Sequence, residues 1–256
     1  MRREKVPMPH TLRVGPAEIT FQDRGGARPF LLLHGGGGVA TMTGFADLLA
    51  ERTSSRVLLP THPGFGGTPK AVELTDVRAL AETYVAMLDQ LDLVDVTVLG
   101  NSFGGWLAAE IALLGSPRVS GAVIVNGIGV VVPNHPLTDV SRLSRAELLA
   151  HSYHDPSKAP VPPAGATGPS PDIRALIGYT GPAMEDPTLP DRLNGLDLPV
   201  HVVWGESDHV ADLEYGKAFA AAIPASTFTA LPRSGRLPQL ETPEELLSTL
   251  LDVGVR

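Results

Sequence analysis

Residues 96–113, VTVLGNSFGGWLAAEIAL, constrain the fold more than any other stretch of the chain. An apolar run, VTVLG, has the composition of a buried strand. The run from Phe103 onward, FGGWLAAEIALLG, has that of a helix. Between them lies only Gly100-Asn101-Ser102-Phe103-Gly104, a G-x-S-x-G pattern. So sharp a strand-to-helix turn forces its central residue into a strained backbone conformation, and small flanking residues let the chain turn that tightly. The turn lifts the Ser102 hydroxyl above the edge of a sheet and sets it at the start of a helix, where negative charge is favoured. The string alone is weak; with a strand before it and a helix after it, it points to a nucleophilic serine.

The rest of the chain agrees with such a turn. TLRVGPAEITFQDRGG alternates on both sides of Gly15-Pro16, as in a hairpin. PFLLLHGGGG, SRVLLPTHPGFGGT, VSGAVIVNG, PVHVVWGESD and STFTALP each supply an apolar strand of the kind buried on both faces of a parallel sheet. Helical patterns fall between them, at 41–52, 74–91 and 212–223, and TPEELLSTLL closes the chain. Strands alternating with helices predict an α/β fold with a mostly parallel central sheet flanked by helices. The alternation lapses between about 130 and 195. That segment holds a helical stretch, SRLSRAELLAHSYHD, and a Pro/Gly-rich piece, KAPVPPAGATGPSPD. The expected division is a core of residues 1–129 and 196–256 with an inserted cap of residues 130–195. The Pro-rich piece is expected to be mobile above the sheet.

Composition narrows the function. At 256 residues and 43% hydrophobic, the chain can bury a substantial core. A net charge of −8 disfavours a nucleic-acid partner. The absence of cysteine removes thiol nucleophiles, disulfides and thiolate metal sites. MRREKVPMPH carries positive charge, but Pro7, Pro9 and His10 break any apolar run, so no signal peptide is expected there. Nor is there an apolar stretch of membrane-spanning length. The expected partner is a small-molecule substrate in the cytoplasm, with no membrane association, no cofactor and no metal. HGGGGVATMTG lacks the Lys-Ser/Thr of a phosphate loop and the downstream acid of a dinucleotide site.

LLLHGGGG, LLPTHPGFGGT, GNSFGG and VVWGESDHV together resemble the α/β-hydrolase family. The nearest branch is that of cap-bearing esterases, haloperoxidase-like enzymes and C–C bond hydrolases, and the likeness covers nearly all of the chain outside the cap. It implies an α/β-hydrolase fold and activity on a small, fairly apolar ester or related carbonyl compound. Ser102 would be the nucleophile and Asp208 the acid. The backbone N–H groups of Phe103 and Gly36 would form the oxyanion hole, with Gly37, His34 and Leu237 beside the substrate. Read without the resemblance, Asp208 could equally be a turn or helix-capping residue after its strand.

The resemblance breaks at one residue. RSGRLPQLETPEEL matches the family's histidine loop by its flanks, yet position 236 is Arg where His is expected. A guanidinium keeps its proton at any ordinary pH and cannot act as a base. It can instead pair with Asp208, in a bidentate bridge. Of the eight histidines, His34 and His209 are the least implausible substitutes. His135, His151 and His154 lie in the cap segment, and His34 and His62 fit structural roles in their loops. Three outcomes stay open: a serine hydrolase impaired by Arg236, a non-hydrolytic enzyme such as a lyase, isomerase or cyclase, and a ligand-binding pseudoenzyme on the same scaffold.

Overall fold

The computed structural model describes residues 8–160 and 171–252. The N-terminal segment and most of the Pro/Gly-rich piece discussed above lie outside those residues. An eight-stranded sheet runs through the molecule in the order β1-β2-β4-β3-β5-β6-β7-β8. β1 (His10–Val14) and β2 (Ala17–Arg24) form the expected hairpin, turning at Gly15 with φ 57°. β2 also pairs antiparallel with β4 (Arg56–Thr61), and the pairings from β4 through β8 are parallel. Those parallel strands are β3 (Pro29–Leu33), β5 (Val96–Asn101), β6 (Val119–Val125), β7 (Val200–Gly205) and β8 (Ser226–Leu231). Every residue of β3, β5 and β7 is buried, which explains why these strands read as continuous apolar runs.

Side chains alternate across the sheet and feed two cores. Phe30 and Leu32 join Met42, Phe45 and Leu49 of α1 (Ala40–Thr53) and Leu246, Leu247 and Leu250 of α9 (Pro243–Asp252). On the other face Leu31 and Leu33 pack with α2 (Val77–Gln90), α3 (Phe103–Leu113) and α7 (Leu213–Ala221). The strand order reverses at β3, which lies between β4 and β5. The loops after β3 and β5 therefore leave the same edge side by side, the place where open α/β sheets hold ligands.

Two boundaries differ from the sequence pattern. α2 starts at Val77 rather than near Leu74, because the Asp76 carboxylate caps it by accepting the Ala79 N–H at 2.9 Å. A short helix, α8 (Pro238–Glu241), follows position 236 with Pro238 at its start, and the pattern had not suggested it. Between β6 and β7 the described residues add no strand to the sheet. They form α4 (Arg145–Ser152), α5 (Pro171–Thr180), α6 (Leu189–Leu193) and two short 3-10 turns. Glu110 on α3 is buried and binds Arg192 of α6 through two bonds of 2.7 Å, tying this segment's end to the core. No helix among the described residues is long and apolar enough to cross a membrane.

Candidate active site

The turn after β5 has the geometry its residues demand. Ser102 has φ 58° and ψ −115°, a strained conformation for a residue with a side chain. A Cβ on Gly100 would lie 1.8 Å from the Gly104 carbonyl oxygen, and one on Gly104 would lie 2.1 Å from that of Leu33. Glycine at both positions is thus a steric requirement of bringing β3, β5 and α3 together. The strain is held from outside: the Ser102 N–H donates to Val125 O at 2.9 Å, and its carbonyl accepts from Gly105 and Ile128.

Three loops from separate strands meet at the Ser102 hydroxyl. Asp208, 1% exposed, sits beyond β7, and Arg236, whose side chain is 11% exposed, sits beyond β8. Arg236 Nη2 donates to Ser102 Oγ at 2.7 Å, and Nη1 donates to Asp208 Oδ2 at 3.0 Å. The expected bidentate pairing with Asp208 does not form. Asp208 Oδ1 is already taken by the N–H groups of Val210 and Ala211, at 2.9 and 3.1 Å, so the second arm of the guanidinium goes to Ser102. Oδ2 also accepts from Asn126 Nδ2 at 2.8 Å. The sequence pattern had not singled out Asn126. Its one local signal is an Asn just past a strand, a residue type that tolerates the φ of 47° found there.

Backbone contacts, not the Arg236 side chain, position that loop. Arg236 O accepts from Asn101 Nδ2 at 2.9 Å and Arg236 N–H donates to Ser152 O at 2.8 Å. Glu241, buried, gathers three N–H groups on its carboxylate: Gly235 at 2.6 Å, His154 at 3.2 Å and Asp155 at 2.9 Å. One side chain of α8 thus fastens the loop of position 236 to the segment after α4. Removing it strands those donors, so Glu241→Ala should destabilise the chain by about 2–4 kcal/mol in urea unfolding. A cost under about 0.5 kcal/mol would mean that water replaces the carboxylate without loss.

The loop after β3 approaches Ser102 most closely at Gly35, a residue not singled out in advance. A Cβ there would stand 2.8 Å from Ser102 Cβ. Gly36 follows, partly exposed; its N–H and that of Phe103 donate to no backbone acceptor among the described residues. Gly37 is exposed and Leu237 partly buried. α5 lies over this loop. A Cβ on Gly36 would be 3.1 Å from Leu176 Cδ2, and Tyr179 stacks on Phe103 with ring centres 5.8 Å apart.

His34, expected beside the substrate, is instead fully buried with both ring nitrogens engaged. Nδ1–H donates to Gly35 O at 2.8 Å, and Nε2 accepts the His62 N–H at 3.1 Å. That arrangement leaves it neither a face for substrate nor a lone pair for the Ser102 proton. His62 is equally enclosed, bonded to His34 O at 3.0 Å and to the Tyr84 hydroxyl at 2.6 Å. His135, His151 and His154 bond to Asp212, Glu147 O and Ser207, and His209 packs edge-on to His151. No histidine among the described residues hydrogen-bonds to Ser102.

Burial pushes the His34 imidazole down to about 4 and that of His62 well below its ordinary value. These groups fold as neutral rings, while the unfolded chain takes up their protons near pH 6.5. The unfolded state therefore binds more protons between that pH and about 4, and stability is lost as pH falls through this window. Urea unfolding should show a loss of about 2 kcal/mol from His34 alone between roughly pH 7 and 5, with His62 adding to it. Equal stability at both pH values would contradict the neutral pairing.

Among the described residues, no three His, Asp or Glu side chains gather in a way that could hold a metal ion. Two surface recesses, of about 610 and 410 Å³, are lined by residues that include Lys158 and Glu245 in one and Leu113 and Pro199 in the other; neither includes Ser102.

Residues 30–249 match the model of the Alpha/beta hydrolase family. The chain is 25% identical to the dihydrolipoyllysine-residue acetyltransferase component of the acetoin cleaving system of Pseudomonas putida, over 96% of this chain and 69% of that protein. It is 33% identical to a 2-hydroxy-6-oxo-2,4-heptadienoate hydrolase of Pseudomonas putida, over 45% of this chain and 43% of the other. In three dimensions it is similar to a serine hydrolase involved in carbazole degradation, with a TM-score of 0.79 and 20% identity over 97% of this chain and 99% of that one.

Proposed function

The chain belongs to the alpha/beta hydrolase family, and from that premise we propose a serine-hydrolase site for a small, fairly apolar ester or related carbonyl compound, impaired because Arg236 stands where a base must act. Ser102 is the nucleophile and Asp208 the acid of this site. Phe103 and Gly36 supply the oxyanion donors, with Gly37 and Leu237 at its rim. Residues 130–195 serve as a cap on a core formed by 1–129 and 196–256, and the substrate is met in the cytoplasm.

One observation carries the reading: the guanidinium of Arg236 bridges Ser102 Oγ and Asp208 Oδ2 at 2.7 and 3.0 Å. Acyl transfer requires the serine proton to leave as oxygen attacks the carbonyl, and a second deprotonation, of water, to release the acyl group. An imidazole serves both steps; a guanidinium, with donors only, serves neither. What remains is substrate positioning and the oxyanion donors, which by themselves sustain only slow turnover. The same observation favours a second reading, a ligand-binding protein that retains the scaffold.

A fluorophosphonate, which reacts with activated serines, separates these readings. Ser102 should label slowly in this chain and rapidly in an Arg236→His variant, with labelling absent in Ser102→Ala. If Arg236→His folds and stays unlabelled, the hydrolase reading is wrong and the binding reading stands.

A further inference from the structure

We infer that Arg236 converts this site into a receptor for a carboxylate, so that the chain binds a small monocarboxylate with an apolar tail and leaves it unchanged. The inference rests on the reading of Ser102 and Arg236 as one site, and it specifies the ligand that the site takes.

The polarity of the site is the starting point. A serine beside an imidazole donates its proton to the ring. Here Ser102 Oγ accepts from Arg236 Nη2 at 2.7 Å, so the direction is reversed. No hydrogen bond among the described residues has the Ser102 hydroxyl as donor, so its proton is available to a ligand. The N–H groups of Gly36 and Phe103 likewise find no backbone acceptor among the described residues. The nearby acceptor that could have quenched this set is Asp208, and it is saturated by Asn126, Val210, Ala211 and Arg236. Asp172, on α5, directs Oδ1 to the Gly66 N–H at 2.9 Å, in the loop after β4, and its Oδ2 lies 3.0 Å from where a Gly38 Cβ would be, two residues beyond Gly36.

A cluster that only donates is complementary to a group that only accepts. An ionised carboxylate is such a group, and its two oxygens suit a guanidinium flanked by further donors. A neutral amide is a poor substitute, because its NH₂ would face donors across the site. The surroundings set the rest of the ligand: Leu176 and Ile173 of α5 stand 3.1 and 4.0 Å from where a Gly36 Cβ would be, which favours an aliphatic tail. No bond is made or broken on binding.

The probe is butyrate, compared with butyramide, by saturation-transfer NMR and calorimetry on the full chain. Butyrate should bind at least about tenfold more tightly than butyramide, the difference expected for one charge-assisted hydrogen bond. Arg236→Gln should abolish that preference. Ser102→Ala, which keeps the Arg236–Asp208 pair and tests the site should Arg236→Gln fail to fold, should weaken butyrate several-fold. Equal binding of the acid and the amide, or butyrate binding unchanged in Ser102→Ala, overturns the inference. The hydrolase reading fails separately: if Arg236→His stays inert to fluorophosphonate while the parent binds butyrate, the receptor stands alone. If Arg236→His labels and the parent ignores butyrate, the reading of the scaffold survives without the receptor.

Discussion

Replacing Arg236 by His should raise the hydrolysis of p-nitrophenyl butyrate by about 10²–10⁴-fold, the usual contribution of a positioned general base. The two outer nitrogens of the guanidinium already occupy the two ends of a relay: Nη2 on Ser102 Oγ and Nη1 on Asp208 Oδ2. An imidazole in their place would turn Nδ1–H toward Asp208 and leave Nε2 free to accept the serine proton. The loop should survive the exchange, because its bonds to Asn101, Ser152 and Glu241 run through the backbone of residues 235 and 236. The gain should appear in kcat and in kcat/KM together, since the base acts in the transition state and not in substrate binding. A further Ser102→Ala change should return the rate to that of the parent. If the parent already matches Arg236→His, and Ser102→Ala abolishes activity in both, another group takes the serine proton, and His209 becomes the first to substitute.

Arg236→Met should cost about 3–5 kcal/mol of stability, the range found when one member of a buried ion pair is removed. The Asp208 side chain is 0% exposed, and Arg236 is its charged partner at 3.0 Å. Asn126 and the N–H groups of Val210 and Ala211 remain on the carboxylate, but they are dipoles and do not balance its charge. The double variant Arg236→Met with Asp208→Asn should recover part of the loss, because a neutral amide needs no counter-ion, although its NH₂ then faces the NH₂ of Asn126. Arg236→His should lose much less than Arg236→Met, because the ring N–H still donates to Asp208. Thermal and urea unfolding of the four proteins check these values. Should Arg236→Met unfold at the same denaturant concentration as the parent, the pair makes no net contribution and Asp208 is stabilised by its dipoles alone.

The two predictions draw on different layers of information. The strands, the helices and the strained turn at Ser102 were written locally. A parallel strand buried on both faces must be apolar throughout, so PFLLL, VTVLG and PVHVVWG declared themselves. Gly100 follows from the same local crowding, against Gly104, whereas Gly104 itself is required by the close approach of Leu33 on β3, a tertiary contact. Position 236 was legible too, since its neighbours fix the loop and an Arg there contradicts the chemistry that the other segments imply. What the sequence could not decide was which distant residues share an oxygen. Asp208 spends one oxygen on its own loop's N–H groups, and that alone splits the guanidinium between Asp208 and Ser102. Asn126 reaches Asp208 across 82 residues, and Glu241 gathers N–H groups 86 and 87 residues away. His34 looked available for substrate until the end of β4 brought His62 against it, with Tyr84 of α2 bonded to the far side of His62. Spacing along a chain sets which face of an element a residue occupies. Hydrogen bonds between elements depend on the order and stagger of strands, which emerge only when the whole core closes, and so the site's polarity, donors facing inward around Arg236, belongs to the tertiary structure alone.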